Sequence, residues 1–301
     1  MIEPVQKNEE LLADFHEADN VTGAFHLWWL GHHGFLIKWN GIGVLVDPYL
    51  SDSITEGSAG IAAARRVSER VVNPLRLTGI EFVAITSDQS DRFDSETLMM
   101  LHSANPTLKV VAPAGIRARV ESELEHADPA ILPVNANSYA EAGAFKFHGI
   151  NAARPKIRRD QQDNSLDLGY MISFGPFVIY QSGSTAWHTN LVKEARRWPI
   201  NLALVSIGGD PEVAAGATEL NGFQAGALSK AISATLAIPG GYGIFNDGVT
   251  SDDFADTCSK LGQRARIMEI GQRMTMGPIS DPSAGKMPAS QPYSESFNLG
   301  Y

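Results

Sequence analysis

The chain has 301 residues, 44% of them hydrophobic and 19% charged, the balance of an ordinary globular protein with ample core volume for one large domain. A formal net charge of −10 argues against a general nucleic-acid or acidic-membrane binder, because phosphate surfaces attract basic ones. The single cysteine, Cys258, excludes an internal disulfide and any cysteine-cluster metal site. No apolar run approaches about 18 residues, so no membrane span is expected. The acidic start, with Glu3, Glu9, Glu10, Asp14 and Glu17, lacks a signal-peptide layout, which makes the cytoplasm the expected compartment.

In chain order, Leu11, Leu12 and Phe15 fall at helical spacing and predict an amphipathic helix within an N-terminal extension, residues 1–23. From Ala24 to Pro48, two β-branched and aromatic runs flank Asn40-Gly41, a strong hairpin signal. Asp52 to Leu77, rich in Gly, Ala, Ser and Arg, reads as a loop plus helix near a pocket mouth. Phe82 to Ile85 is a short buried strand, followed by a helix over 95–104 and a strand over 109–112, with Pro113 and Gly115 opening another helix. Further strands are expected at 145–150, 169–173, 177–181, 202–207, 235–239 and 267–270, with a helix over 225–233 and Cys258 on a further helix as a packing thiol. Two successive series of hairpin and then βα units imply two similar halves packed sheet on sheet, with helices outside. The body is then 24–276. Residues 277–301, rich in Pro, Ser, Gly and Lys, read as an arm or tail, in which Tyr293, Phe297 and Tyr301 are candidate anchors to a second copy in a homo-oligomer.

The run Ile85-Thr86-Ser87-Asp88-Gln89-Ser90-Asp91-Arg92-Phe93-Asp94 follows the strand that ends at Ile85, where α/β proteins place chemistry. Its frame resembles the H-x-H-x-D-H signature of the metallo-β-lactamase superfamily, with Ser87, Gln89 and Arg92 standing where that signature has histidine and Asp91 retained. Three other segments carry the resemblance. Phe25 to Ile37 with Asn40-Gly41 and Val44 to Pro48 resembles the opening hairpin of the ascorbate-6-phosphate lactonase branch. Ile179 to Thr185 is similar to a strand ending in Gly-Asp-Thr/Ser, with Ser184 at the bridging aspartate. Ala237 to Tyr242 is similar to a strand ending in Pro-x-His-Tyr/His, with Gly241 at the histidine. The resemblance covers about Phe25 to Met276 and implies the αββα four-layer sandwich of an α/β fold. It also implies ancestry among metal-dependent hydrolases of lactones, phosphodiesters or related esters.

A hydrolytic zinc centre needs three or four His, Asp or Cys ligands per ion and an open position for water. None of the eight histidines falls on a ligand position that the resemblance implies. The expectation is therefore a site without metal and without another cofactor. His32 and His33, at the turn before Gly34, are candidate general acids or bases together with Asp91. Burying Asp91 without a counter-charge would cost several kcal/mol, and Arg92 and Arg154 are placed to supply one. Ser87, Gln89, Arg92, Arg154, Ser184, Trp187 and Tyr242 are the candidate substrate contacts, and the arginine forks point to a small anionic ligand. Three readings follow. The first is a metal-independent enzyme on a small anionic or lactone- or ester-type substrate. The second is a noncatalytic ligand-binding or scaffold protein, and the third a residual metal site drawn from Asp47, Asp88, Asp91 and one of His32, His33 or His188. No nucleic-acid or membrane partner is expected.

Overall fold

Asn40 and Gly41 both take positive φ, 49° and 79°, and connect β2 (Gly34–Trp39) to β3 (Ile42–Val46) by the tight turn the sequence signals. A two-residue loop with left-handed backbone at both positions matches the natural twist of paired strands. In the computed structural model, which describes residues 1–18, 23–54, 66–209 and 217–277, this hairpin is the centre of a seven-stranded sheet. Antiparallel pairing joins β13 (Arg273–Met276), β1 (Phe25–Gly31), β2 and β3. Parallel pairing then adds β4 (Ile80–Ala84), β5 (Lys109–Pro113) and β6 (Ala130–Val134).

The second sheet has six strands and repeats the scheme. β7 (Tyr139–Ala142), β8 (Phe145–Asn151), β9 (Leu168–Phe174) and β10 (Phe177–Gln181) are antiparallel, and β11 (Leu202–Ser206) and β12 (Leu236–Gly240) continue in parallel. Helices α1 (Glu9–Glu17), α2 (Ser95–Ala104) and α3 (Arg117–Glu123) pack with the first sheet, while α4 (Leu191–Ala195), α5 (Gly222–Ala231) and α6 (Asp252–Leu261) pack with the second. This is the expected α/β sandwich of four layers.

β1 shows why the strands read as continuous apolar runs: every one of its residues is buried, because both its faces are covered. Phe25 faces Phe174 and Phe177 of the second sheet, at ring separations of 5.5 and 4.9 Å. Trp28 points the other way, against Phe15 of α1, and its indole N–H donates to Asp14 at 2.8 Å. The N-terminal helix is thus part of the main core, not an appendage to it.

Three elements differ from the sequence reading. β6 and β7 were not anticipated; β7 is half exposed, and Pro133 interrupts the β6 pattern. The last strand is Arg273–Met276 instead of 267–270. Met268 and Ile270 alternate into the core as a strand would, yet Ile270 gives its carbonyl to Val5 N–H, so no ladder forms there. The segment expected as loop and helix after Asp52 falls largely on 55–65, outside the described residues, as do Tyr293, Phe297, Tyr301 and nearly all of the expected tail. Among the described residues no helix is long and apolar enough to cross a membrane.

His148 on β8 offers a pH readout of the fold. It lies between Tyr139 and Trp198, and burial, ahead of the nearby Lys146 charge, lowers its pKa to about 4. Its folded value lies below the unfolded one, so its contribution is full above about pH 6.5 and is lost as pH falls towards 4. Between pH 7 and 4.5 the wild type should lose about 1 kcal/mol more stability than His148→Gln in urea unfolding, once solvent screening of the half-buried ring is allowed for. Equal losses would remove this histidine from the acid response.

Candidate active site

Seven stretches of the chain, at residues 31–34, 47, 86–92, 184, 206, 219 and 241–242, converge at one end of the two sheets. The turn Gly31 to Gly34 joins β1 to β2, and His32 there adopts φ 50°. Holding a non-glycine residue in the left-handed region costs about 1 kcal/mol, and the surrounding bonds offset it. The His32 carbonyl accepts from Gly241 N–H at 2.8 Å and from the Trp29 indole at 3.1 Å, and His32 N–H donates to the Tyr242 carbonyl at 2.9 Å. The turn of the first sheet is thereby fastened to the end of β12 in the second.

Asp47, at the end of β3, is fully buried and fixes the loop after β4: Thr86 donates to it from both its N–H and its hydroxyl, each at 2.8 Å. Burial drives the Asp47 carboxyl well above its ordinary pKa, with the Thr86 bonds opposing.

The next residues of that loop form a polar knot. Arg92 has no exposed surface. Its guanidinium donates to Glu219 at 2.6 Å, to the Ser184 hydroxyl, and to Asp91 at 3.3 Å, and its Nε lies 3.9 Å from Asp47. Ser184 in turn donates to the Gln89 side chain at 2.7 Å, and Ser87 meets the same oxygen at 3.4 Å. Ser206 at the end of β11 donates to the second oxygen of Glu219 at 2.5 Å. Against the cost of burial, Arg92 holds the Glu219 carboxyl below its ordinary pKa, while burial lowers Arg92 itself to about 10. Buried charges of this kind persist when they are paired, and here one donor, Arg92 Nε, has no hydrogen-bond partner among the described residues.

Beside the knot lies a cavity of about 580 Å³. His32, His33 and Asp91 form its inner wall; Glu219, Asp247 and Asp253 add carboxyl groups, and Thr218, Asn221 and Thr250 add neutral polar ones. His32 Nε2 sits 2.8 Å and His33 Nε2 4.0 Å from Asp91 Oδ2. Burial, then the Glu219 charge, raises the Asp91 pKa to about 7, and burial, then the Arg92 charge, lowers that of His32 to about 3. The imidazole is neutral at physiological pH, and the pair holds its proton on the carboxyl side when it holds one.

Of the residues named from sequence, the fold brings His32, His33 and Asp91 to the cavity wall and Ser87, Gln89, Arg92 and Ser184 into the knot behind it. The last four were expected to touch substrate. Arg92, Ser87 and Ser184 are instead sealed from solvent, because Arg92 spends its donors on Glu219, Ser184 and Asp91. Arg154 does not reach Asp91 either; it turns to Asp167 at 3.4 Å, which it shares with Arg158. Trp187 is 44% exposed and Tyr242 packs on Trp29 with ring centroids 4.7 Å apart, so neither lines the cavity. The expected preference for an anion lacks a counter-charge, since no Lys or Arg is among the described lining residues. Sequence reading missed Glu219. No local pattern in the sequence marks it; only in the fold does Glu219 come close to Gly208, where a Cβ would lie 2.6 Å from its carboxylate.

Gly241 carries a related constraint. Its φ is 92°, and a Cβ on it would lie 2.4 Å from His33 Cε1 and 3.0 Å from Nε2. His33, from the first sheet, fills the space that a side chain at 241 would need. Gly241→Ala combines left-handed strain with overpacking and should cost about 2–4 kcal/mol in urea unfolding. A cost below about 0.5 kcal/mol would show that His33 swings away freely.

Comparison with known proteins places this geometry. The family described as "Beta-lactamase superfamily domain" matches residues 43–241. A protein of Saccharolobus solfataricus named a metal-dependent hydrolase is 22% identical over 259 residues, covering 83% of this chain and 99% of the relative. Among solved structures, the metallo hydrolase Igni18 of Ignicoccus hospitalis aligns with a TM-score of 0.63 at 17% identity, over 84% of this chain and 98% of its own. An isothiocyanate hydrolase from Delia radicum gut bacteria aligns with a TM-score of 0.66 at 13% identity, over 84% and 99%. With the family match spanning most of the strands that build the site, and both sheets arranged as in these structures, the chain belongs to the metallo-β-lactamase superfamily.

Proposed function

We propose that this protein hydrolyses small ester- or lactone-type substrates at a centre rebuilt around His32, His33 and Asp91, without the paired metal ions that served its ancestors. The observation that carries the reading is the buried guanidinium of Arg92 between the sheets, bonded to Asp91, Ser184 and Glu219. The donors at the signature positions, Ser87, Gln89, Arg92, Ser184 and Gly241, do not fit two dications. Hydroxyls and an amide are weak ligands and Gly241 offers none; a second ion between the sheets would also meet the buried Arg92 charge.

The chemistry available to the remaining residues is water activation. Asp91, fixed by His32 on one side and Arg92 on the other, faces the cavity with a carboxyl oxygen that can take the proton of a water attacking an ester carbonyl. The same proton can then pass to the departing alkoxide, which leaves Asp91 as it began. Four carboxyl groups on the wall favour a neutral or positively charged substrate over the anionic one expected from sequence. Support for hydrolysis comes from the relatives, which are named as hydrolases.

The test is a turnover screen of the purified chain with neutral lactones, aryl acetates, choline esters and carboxylate-bearing esters. Hydrolysis of neutral or choline esters ahead of the anionic ones is the expected result. Saturable binding without turnover across the whole panel would replace this reading with that of a noncatalytic binding protein.

A further inference from the structure

We propose that His32, His33 and Asp91 bind one divalent transition-metal ion, held by two histidines outside the signature positions together with the one signature residue retained, Asp91. The proposal rests on the reading above for the place of the chemistry, and it adds a cofactor that the signature positions give no reason to expect. Among the described residues these three form a group whose candidate ligand atoms all lie within 4.8 Å of one another.

The distances suit an ion. Ligands about 2.1 Å from a tetrahedral zinc stand about 3.4 Å from each other. His32 Nε2 and His33 Nε2 lie 2.8 and 4.0 Å from Asp91 Oδ2, one slightly inside and one slightly outside that value, so modest side-chain rotations bring both to it. Two imidazoles and one carboxylate are a donor set typical of catalytic zinc and of non-haem iron. All three residues line the cavity, which leaves the remaining coordination positions open to water and substrate.

One further observation concerns Gly241. The His33 ring occupies the volume that a side chain at the end of β12 would fill, so an imidazole reaches that side of the cavity from the opposite sheet.

Charge limits the number of ions to one. Around the cavity's inner wall, the Arg92 guanidinium is held closely by Glu219 at 2.6 Å and more loosely by Asp91 at 3.3 Å, which leaves Asp91 charge to share with one cation. A second dication would have to displace a fully buried arginine. When bound, the ion would polarise a water at an open position, with Asp91 serving as its ligand and no longer as the proton acceptor of the metal-free protein.

The experiment uses the full chain, stripped with a chelator and titrated with zinc by calorimetry and with cobalt by visible absorption. The expected result is one ion per chain and the d–d spectrum of low-symmetry cobalt. His33→Gln should weaken zinc binding about 100-fold, at the upper end of what indirect ligand partners contribute. Asp91→Asn provides the same test should His33→Gln fail to fold, and His188→Gln, a histidine outside the cavity, should bind as wild type. No bound ion, two bound ions, or unchanged affinity in both variants would overturn the proposal. Its failure is separable from that of the proposed function. Ester turnover by the stripped protein would remove the ion and leave the hydrolase, whereas one tightly held ion with no turnover would do the reverse.

Discussion

Arg92→Met is expected to destabilise the protein by about 3–5 kcal/mol, the range for removing one partner of a buried ion pair. Glu219 is 8% exposed, and in the variant its carboxylate would lose the guanidinium and be left with the hydroxyls of Ser206 and Ser184. Asp91 and Ser184 would each lose a donor at the same time. The loss therefore comes mostly from stranded acceptors and only in part from missing contacts. Glu219→Gln alone should be costly too, because it strands the guanidinium. The double variant Arg92→Met/Glu219→Gln should recover a large part of the loss, since it removes both charges together. Urea unfolding of the four proteins measures this coupling directly. Additive single effects would mean that the two charges do not depend on each other.

Asp91→Asn is expected to lower kcat for any ester that the wild type hydrolyses by about 10²–10⁴, the usual contribution of a positioned proton acceptor. The amide is nearly the same size and can still meet His32 and Arg92, so KM should change far less than kcat. His32→Gln should have a smaller effect, about tenfold to 100-fold, because His32 orients the carboxyl and Arg92 remains on its other side. Unaltered turnover in Asp91→Asn would move the chemistry elsewhere in the cavity.

Much of the fold was legible because its strands advertise themselves. The Asn40-Gly41 hairpin, the helix at 95–104 and the strands ending at Ala84, Gln181 and Gly240 follow from turn chemistry and from apolar runs covered on both faces. β7 escaped notice because it is a half-exposed strand of four residues, too short to show a period, and β6 because Pro133 breaks its pattern.

The site was legible in part, and for a physical reason. The signature frame located the loop that carries Asp91 and Arg92, and the turn before Gly34 located both histidines. Which side chains would face the cavity depended on Glu219, more than 120 residues further along the chain, which fixes the guanidinium behind the wall. Once that partner is absent from the reasoning, Arg92 reads as a free donor fork and the ligand as an anion. The same applies to Arg154, whose partner Asp167 lies just before β9.

The most direct measurement is a crystal structure of the zinc-treated protein with anomalous data collected on either side of the zinc edge. One anomalous peak bounded by His32, His33 and Asp91, with guanidinium density continuous from Arg92 to Glu219, is the expected result. Two peaks between the sheets, with Arg92 turned out to solvent, would contradict the proposal that a buried arginine stands in place of the ion pair.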